Sequence, residues 1–374
     1  MPGGTRRPGW LSRWWVWVGS IVVAFVIGAV AGSIVGPIDG DDGDGVAVEV
    51  DLGRPGRYVA LGDSYSAGEG LAPFRDGTQD IADGGYRCHR STRFAYPLLL
   101  RFVQPTRSFF RACSGAVVEN VFDVIQEHDG VPDLQGLQAK DGILTDDVVL
   151  VTLTMGGNDL EFAKVLRFCY ENGPNCSDLP YEGYPSLREW ATATVGDLKT
   201  SLASLYQGVR AATSPGTRIL VLGYPPLFPP QAPPIYRPQS AFCTVLFNKW
   251  TAPERTMLRE SGLMLNKTIF QATQQADADI EYVDIWPFFA GHEPCSTGGE
   301  WVRFFGVLNS AVREGSFHPR EAGQAMMARI VACYLDVFPD ATTPRTKTTN
   351  YAMTGCLATQ TAEVVRGGTT ATSR

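Results

Sequence analysis

Short apolar runs in the body of the chain alternate with amphipathic patterns. A run of four to six mostly apolar residues is typical of a buried strand, and the run 148–153 is apolar throughout except for one threonine. Turn-forming residues follow several of these runs. The pattern predicts five strands, at 58–61, 108–112, 148–153, 219–222 and 282–285.

Between the predicted strands, apolar residues recur at spacings of three and four, which predicts helices with one apolar face. One such series is Val195, Leu198, Leu202, Leu205 and Val209, and a second is Met326, Ile330, Cys333 and Val337. Strands that alternate with helices indicate an α/β fold with a parallel sheet covered on both faces. Such sheets bind ligands at the carboxyl ends of their strands, so chemistry is expected in the turns that follow strands.

The N-terminal segment 1–36 is predicted to be a membrane anchor or a signal peptide. Its apolar run 14–35 is 22 residues long, enough to span a bilayer, and arginines precede it. Ala29-Val30-Ala31 also fits a signal-peptidase site, so cleavage and secretion is the competing interpretation. Both interpretations place residues 37–374 outside the cytoplasm.

The remaining chain divides by composition into three parts. Residues 37–56, which include the acidic Gly-Asp stretch 40–45, are expected to be a flexible linker. Residues 57–338 contain the alternating pattern and are expected to form the catalytic domain. Residues 339–374 are rich in threonine and are expected to form a loosely ordered tail, tied back where Cys356 forms a bridge, for which Cys333 is a candidate partner.

Composition narrows the function and the compartment. The net charge of −7 over 374 residues and the absence of a basic stripe exclude a typical nucleic-acid-binding protein. All eight cysteines follow the N-terminal run, and an even number in an exported chain favours disulfides, although eight cysteines allow 105 pairings. With four histidines and no Cys-x-x-Cys, the sequence predicts neither a metal site nor a cofactor.

Four segments carry residues that are suited to acyl transfer. Ser64 follows the first strand in Gly-Asp-Ser and is a candidate nucleophile, which would need a base and donors for the oxyanion. Gly115 follows the second strand and Asn158 follows the third, so each is placed to supply such a donor. His318 precedes the last helix, where Pro319 suits the first helical position. Taken singly, each segment also fits an ordinary turn, cap or surface residue.

In this order the four segments resemble those of the SGNH, or GDSL, hydrolase family. Members carry Gly-Asp-Ser near the start, a glycine in a second block, Gly-x-Asn-Asp in a third and His-Pro in the last. The resemblance covers about residues 57–338. It is closest to secreted actinobacterial lipases and esterases, which share the segment Ala-Leu-Gly-Asp-Ser-Tyr-Ser-Ala-Gly-Glu-Gly found here at 60–70.

The resemblance implies a flavodoxin-like three-layer α/β/α fold and a serine esterase or lipase. It assigns Ser64 as the nucleophile and His318 as the base. The oxyanion hole would comprise the backbone N–H groups of Ser64 and Gly115 and the side chain of Asn158. The related enzymes also imply the disulfides Cys88–Cys113, Cys169–Cys176 and Cys243–Cys295.

One position departs from the common family pattern. Many members place an aspartate three residues before the histidine, where this chain has Gly315. Two substitutes remain open: the backbone carbonyl of Ser316, by analogy with some actinobacterial relatives, and the carboxylate of Glu314. The carbonyl is favoured, which predicts a Ser–His dyad.

The segment 224–230, Tyr-Pro-Pro-Leu-Phe-Pro-Pro, follows the fourth strand and fits either an apolar pocket for an acyl chain or a rigid surface loop. A lipid or fatty-acyl ester is therefore the first choice of substrate. The alternatives are an acetyl ester on a cell-wall or other glycan and an inactive, membrane-tethered binding module. A cytoplasmic thioesterase conflicts with the expected export. Beyond the ester substrate and the membrane, no partner is predicted.

Overall fold

In the computed structural model of the protein, the body of the chain forms a mixed α/β structure around one parallel sheet. The structure describes residues 47–140, 142–173, 175–229, 250–276, 279–296, 299–304, 315–340 and 352–358. Five strands lie side by side, and every neighbouring pair is parallel; their order across the sheet is Thr106–Phe110, Gly56–Ala60, Val148–Leu153, Arg218–Leu222 and Ile280–Val283. All five carboxyl ends therefore lie at one edge of the sheet, which we call the catalytic edge.

The strands of this sheet are β2 (Gly56–Ala60), β4 (Thr106–Phe110), β7 (Val148–Leu153), β8 (Arg218–Leu222) and β9 (Ile280–Val283). β1 (Val48–Val50) pairs with β3 (Leu100–Phe102), and β5 (Glu127–His128) pairs with β6 (Val131–Pro132) in a separate hairpin. The five predicted strands are all present. Two of them, β4 and β9, begin and end two residues earlier than predicted, because their pairing with the neighbouring strands ends at Phe110 and Val283.

The helices are α1 (Ser64–Ala67), α2 (Tyr96–Leu99), α3 (Phe162–Asn172), α4 (Leu187–Ala211), α5 (Ala252–Ala276), α6 (Trp286–Phe289), α7 (Glu321–Val337) and a short α8 at residues 352–358. Both predicted helices are confirmed, as parts of α4 and α7. α4 and α5 cover one face of the sheet, while α2 and α7 cover the other. This is the expected three-layer α/β/α architecture.

Alternation along the strands divides the core between the two faces. Val59 and Val151 point towards α4 and α5, whereas Tyr58 and Leu150 point towards α2 and α7. Since β7 is buried along its whole length, its side chains fill both halves of the core. Burying strands on both faces holds the sheet rigidly and fixes the turns at the catalytic edge.

Three parts of the chain differ from the expected organisation. Val48 and Val50, inside the predicted linker, are buried in β1, which pairs with β3. Pro319 does not begin α7, because it forms a bridge with Val302, and the helix starts two residues later, at Glu321. The predicted tail contains a helix, α8, in which Met353 is buried, while the expected bridge between Cys356 and Cys333 is confirmed.

The predicted N-terminal anchor or signal peptide, residues 1–36, lies outside the described residues. Within the described ranges, no helix is both long enough and apolar enough to cross a membrane.

Candidate active site

The turn after β2 presents Ser64 at the catalytic edge, as the first residue of α1. Gly62 makes this turn possible: its φ is +124°, and a Cβ there would lie 2.7 Å from the Thr154 carbonyl oxygen. Asp63 caps α1 by accepting a hydrogen bond from the Tyr65 N–H at 3.0 Å. The amide side chain of Gln138 pairs with both the N–H and the carbonyl of Gly62, at 2.8 Å each. The turn is therefore held from several sides.

The loop before α7 brings His318 to Ser64. His318 Nε2 lies 2.7 Å from Ser64 Oγ, and His318 Nδ1 lies 3.0 Å from the Ser316 carbonyl oxygen. Because a carbonyl only accepts, Nδ1 is the protonated nitrogen and Nε2 is left free to take a proton from Ser64. The alternative support, Glu314, lies outside the described residues.

Phe317 holds this loop in an unusual conformation. Its φ of +62° lies in the left-handed region, which an aromatic residue rarely adopts. Its N–H donates to the Arg303 carbonyl at 2.8 Å, and its own carbonyl accepts from the Tyr65 hydroxyl at 2.6 Å. The buried Phe317 ring contacts three further aromatic rings, those of Phe228, Trp250 and Phe304. These contacts offset the backbone strain at Phe317. They also fix the position of the neighbouring His318.

Three donors are the candidates for an oxyanion hole: the backbone N–H groups of Ser64 and Gly115 and the side-chain amide of Asn158. Within the part of the chain that the structure describes, neither the Ser64 N–H nor the Gly115 N–H has a hydrogen-bond partner. The Asn158 amide donates one hydrogen to the Ala116 carbonyl at 2.9 Å, which orients the group and leaves its second hydrogen for a ligand. An N–H group without a partner in the protein can donate to a ligand, which suits it to stabilising an oxyanion.

A buried network links the turn of Ser64 to the third block. The Tyr224 hydroxyl donates to Asp63 and accepts from the Gly157 N–H at 3.1 Å, and the Thr154 hydroxyl donates to Asp63 at 2.6 Å. Burial raises the pKa of Asp63 to about 6, although these hydrogen bonds oppose that effect. Tyr224 was missed by sequence reasoning, since its segment was interpreted only as an apolar loop.

Glu69 supplies a buried negative charge near the site. Both of its carboxylate oxygens lie within 2.9 Å of His89 Nδ1, and its N–H donates to the Ser64 carbonyl at 3.1 Å. Burial is the largest influence on the pKa of Glu69 and would raise it. The hydrogen bond and charge of His89, together with the charge of His318, outweigh burial and lower the pKa. Glu69 lies in the segment 60–70 that is shared with actinobacterial lipases and esterases. This shared segment is the sequence signal that could have identified it.

The disulfides hold the surroundings of these groups together. Cys88 is bonded to Cys113, Cys169 to Cys176, and Cys333 to Cys356. Cys295 is also disulfide-bonded, and Cys243, the partner that the resemblance implies for it, lies outside the described residues. The Cys88–Cys113 bridge ends two residues before Gly115, so it braces the segment that carries this backbone donor.

The apolar side chains of the segment 224–229 do not form an open surface. Leu227 and Phe228 are buried in the core, and Phe228 packs against Phe317. An apolar cavity of about 200 Å³ lies elsewhere, between α3, α4 and α5. It is lined among others by Leu160, Phe162, Trp190 and Met264. Leu160 follows Asn158 by two residues, so the cavity wall adjoins the third block in the chain.

The group of sulfur and carboxylate ligands that best resembles a metal site within the described ranges is Cys88, Cys113 and Asp133. Its two cysteines are joined in a disulfide, so they offer no thiolate to a metal. The chemistry available at the catalytic edge is that of a serine hydroxyl, an imidazole and three hydrogen-bond donors. This set can transfer an acyl group through a serine ester.

Comparison with known proteins gives an independent view of the chain. Residues 60–326 match the model of the GDSL-like Lipase/Acylhydrolase family. The chain is 31% identical over 271 residues to a lipase from Streptomyces rimosus, covering 72% of this chain and 82% of that protein. It is 29% identical over 273 residues to Lipase 1 from Streptomyces coelicolor, with the same two shares covered.

Among solved structures, the protein is similar to phospholipase A1 from Streptomyces albidoflavus. The two share 29% sequence identity with a TM-score of 0.50, and the match covers 74% of this chain and 98% of the other. The extracellular lipase from Streptomyces rimosus matches with the same TM-score and coverage at 24% identity. That second likeness supports the fold.

Proposed function

The chain belongs to the GDSL-like lipase/acylhydrolase family and is a carboxylic ester hydrolase, and we propose that Ser64 and His318 carry out its reaction as a catalytic dyad. The observation that carries this proposal is the 2.7 Å contact between Ser64 Oγ and His318 Nε2. It is supported by the backbone N–H groups of Ser64 and Gly115, which have no hydrogen-bond partner within the described chain.

In the acylation step, His318 Nε2 accepts the proton of the Ser64 hydroxyl while Oγ attacks the ester carbonyl carbon. The carbonyl oxygen becomes negative in the tetrahedral intermediate. It is stabilised by the N–H groups of Ser64 and Gly115 and by the second amide hydrogen of Asn158. Collapse of the intermediate transfers the proton from His318 to the leaving alcohol and leaves an acyl group on Ser64.

In the second half of the reaction, a water molecule replaces the alcohol. His318 removes a proton from the water, which attacks the acyl carbon and passes through a second oxyanion in the same hole. The proton then returns to Ser64 Oγ as the acid leaves. The cycle consumes one ester and one water and needs no cofactor.

The positive charge on His318 requires support during both steps. We assign this role to the Ser316 carbonyl, 3.0 Å from Nδ1, because it both fixes the tautomer and faces the developing charge. The carboxylate of Glu69 adds a buried negative charge. Glu314→Gln should then keep activity on a soluble ester within a few-fold of wild type. A loss of about a thousandfold or more, similar to that of removing a triad acid, would instead identify Glu314 as the third member.

For the substrate, we propose a fatty-acyl ester of a lipid. The similar proteins are lipases and a phospholipase A1, and the described chain contains an apolar cavity whose wall includes Leu160, two residues after Asn158. A series of p-nitrophenyl esters from acetate to palmitate, followed by an emulsified triacylglycerol and phosphatidylcholine vesicles, tests this. A preference for acetate over octanoate would favour the acetylesterase alternative.

We also propose that the catalytic domain acts outside the cytoplasm, because the described chain contains three complete disulfides. Whether residues 1–36 remain as an anchor or are cleaved as a signal peptide is tested by N-terminal sequencing of the mature protein. An N-terminus near residue 32 would establish cleavage, and an intact segment in the membrane fraction would establish anchoring.

The central experiment is labelling with a fluorophosphonate, followed by peptide mapping. Label on Ser64, with loss of both labelling and esterase activity in Ser64→Ala and in His318→Ala, is the expected result. Ser201→Ala, which changes an exposed serine on α4, is the matched control and should behave as wild type. Full activity in Ser64→Ala would overturn the assignment. An inactive wild type that binds lipid would favour the binding module.

A further inference from the structure

The peptide bond between Ser114 and Gly115 lies in a segment whose hydrogen bonds and close contacts are well defined. The Ser114 N–H donates to the Cys88 carbonyl at 3.1 Å, which anchors the start of this segment. Gly115 follows with φ +80°, and a Cβ on it would lie 3.0 Å from His128 Cε1. The Gly115 N–H is the donor that the proposed mechanism directs at the oxyanion. What holds the other end of this peptide, the Ser114 carbonyl, therefore bears on catalysis.

The small hairpin of β5 and β6 supplies that contact. Glu127 pairs with Pro132 and His128 with Val131, and the pairing continues to the Asp133 N–H, which donates to the Gln126 carbonyl at 2.8 Å. Alternation along β5 places Gln126 and His128 on one face and the exposed Glu127 on the other.

The inner face of the hairpin is fixed to the core. Asp133, opposite Gln126, is buried and accepts a hydrogen bond from Arg90 at 2.9 Å. Gln126 itself is buried, with 7% of its surface exposed. The hairpin therefore presents its inner side chains to the Ser114–Gly115 segment from a rigid position.

Gln126 and His128 converge on the Ser114 carbonyl. Gln126 Nε2 donates to the Ser114 oxygen at 2.6 Å. His128 Nε2 lies 3.0 Å from Gln126 Nε2 and 3.1 Å from the same carbonyl oxygen. Among the described residues, Gln126 Oε1 is buried without a partner, so this amide makes its side-chain hydrogen bonds through Nε2 alone.

The role of the Gln126 amide follows from this geometry. A glutamine amide has two hydrogens on Nε2, and one is committed to the Ser114 carbonyl. His128 Nε2 lies within hydrogen-bond distance of both Gln126 Nε2 and the Ser114 carbonyl, and its tautomer decides whether it accepts from the first or donates to the second. Burial, together with the charge of Arg87, lowers the pKa of His128, and a hydrogen bond with the Ser114 carbonyl opposes this effect. In either tautomer, His128 contacts the Gln126 amide where it meets the Ser114–Gly115 peptide.

We propose that Gln126, supported by His128, is a positioning residue that orients and polarises the Ser114–Gly115 peptide for its role in the oxyanion hole. A trans peptide is planar, with C=O and N–H on opposite sides, so a donor that fixes the carbonyl also fixes the direction of the N–H. Hydrogen bonds in a chain strengthen one another, so a bond accepted by the carbonyl makes the N–H a better donor. The inference rests on the proposed function, because it assigns no role to Gln126 unless Gly115 binds the oxyanion.

The test compares Gln126→Met with wild type on a soluble p-nitrophenyl ester. Methionine has a similar shape but cannot donate to the carbonyl. Removing an oxyanion donor outright typically costs about 10²–10³ in turnover, so misorienting and depolarising one should cost less, about tenfold in kcat with KM nearly unchanged. The inhibition constant of a trifluoromethyl ketone, which forms a tetrahedral adduct with an oxyanion, should rise by a similar factor.

Two measurements separate this role from a purely structural one. The number of active sites is counted by end-point labelling with a fluorophosphonate, and kcat is expressed for each labelled site. Glu127→Gln, which changes the exposed neighbour on the outer face, is the matched control and should leave kcat unchanged. If Gln126→Met does not fold, Gln126→Asn, whose amide is withdrawn by one methylene, should show a smaller loss of the same kind.

The proposal is overturned if Gln126→Met retains wild-type kcat and ketone affinity for each labelled site. It is equally overturned if activity falls only in proportion to the number of labelled sites. In both cases Ser64→Ala would still be inactive and Asn158→Ala strongly impaired, so the proposed function would stand. Full activity in those two variants would mean that the proposed function itself has failed.

Discussion

Asp159 gives the sharpest prediction about stability, because it places a carboxylate where the fold disfavours a charge. One of its oxygens accepts a hydrogen bond from the Val118 N–H at 3.1 Å. Within the described chain, the other oxygen is buried and has no partner. Burial raises the pKa of Asp159 from its ordinary value of 3.8 to about 6. The perturbation is Asp159→Asn, which keeps the shape and the accepting oxygen and removes the charge.

The sign follows from proton binding. The folded state holds the Asp159 proton more tightly than the unfolded state, so the contribution of Asp159 to stability falls as pH rises from about 4 through about 6. The two pKa values, about 6 folded and 3.8 unfolded, differ by about 2. At ~1.4 kcal/mol for each pKa unit, the charged group costs up to about 3 kcal/mol above pH 6 and nothing below pH 4. Asparagine never carries this cost.

The assay is urea unfolding of both proteins at a series of pH values from 4 to 8, with disulfides intact and tryptophan fluorescence as the signal. The free energy of unfolding of Asp159→Asn, relative to wild type, should increase by up to about 3 kcal/mol across this range. Protonated aspartate and asparagine at position 159 each leave one buried polar atom unpaired. The difference in the free energy of unfolding between the two proteins at pH 4 should therefore be small.

Asp147→Asn is the control with a flat profile over this range. A hydrogen bond from Thr145, together with Arg57, holds the pKa of Asp147 below its ordinary value, so this carboxylate stabilises the fold at neutral pH. Its removal should cost stability at pH 7, and the deficit should stay nearly constant from pH 8 to pH 4 and shrink only at lower pH, where the carboxylate takes up its proton. A difference between Asp159→Asn and wild type that stays constant with pH, or decreases as pH rises, would refute the reasoning.

Three further predictions concern the geometry of the site. Tyr65→Phe removes the hydrogen bond to the Phe317 carbonyl and should lower kcat about tenfold with little change in KM in steady-state kinetics; an unchanged kcat would mean that Phe317 needs no such support. Tyr224→Phe leaves two buried groups unpaired and should lower the free energy of unfolding by about 1–3 kcal/mol in urea titrations, and a variant as stable as wild type would count against the network. Replacing Cys88 and Cys113 together by serine should lower the melting temperature, measured by differential scanning fluorimetry, and should also lower kcat, because the bridge braces the segment that carries Gly115. A lower melting temperature with an unchanged kcat would contradict the effect on catalysis.

The sequence was informative wherever a feature depends on neighbouring residues. Short, mostly apolar runs identified all five strands of the sheet, and the signal is strongest in β7, because a strand buried on both faces has no polar alternation. The turn residues then showed where each strand ends, and parallel strands bring those ends to one edge. For the same reason, Ser64 and Asn158 could be expected at the catalytic edge before their contacts were known.

Other features were missed because their sequence signals are weak. The strand formed by Val48–Val50 is only three residues long and follows an acidic stretch, so its pairing with β3 could not be read from local pattern. Pro319 was expected to begin a helix, but its bridge with Val302 is made across the fold. A β-bridge depends on which segments meet in space, and sequence spacing does not contain that information.

What the sequence determined by itself is the set of groups at the candidate site: a serine, an amide and glycines in turns after strands, and a histidine in the loop before α7, with glycine at position 315 where many relatives have aspartate. Only the tertiary structure decided how those groups are held. The Ser316 carbonyl, 3.0 Å from His318, is backbone, and a residue's name does not reveal where its carbonyl points. The hydrogen bond from Tyr65 to Phe317 joins positions that are distant in sequence. The hydrogen bond from Gln126 to Ser114 joins the β5–β6 hairpin to a separate segment. Their energies come from burial and direction, which exist only once the chain has folded.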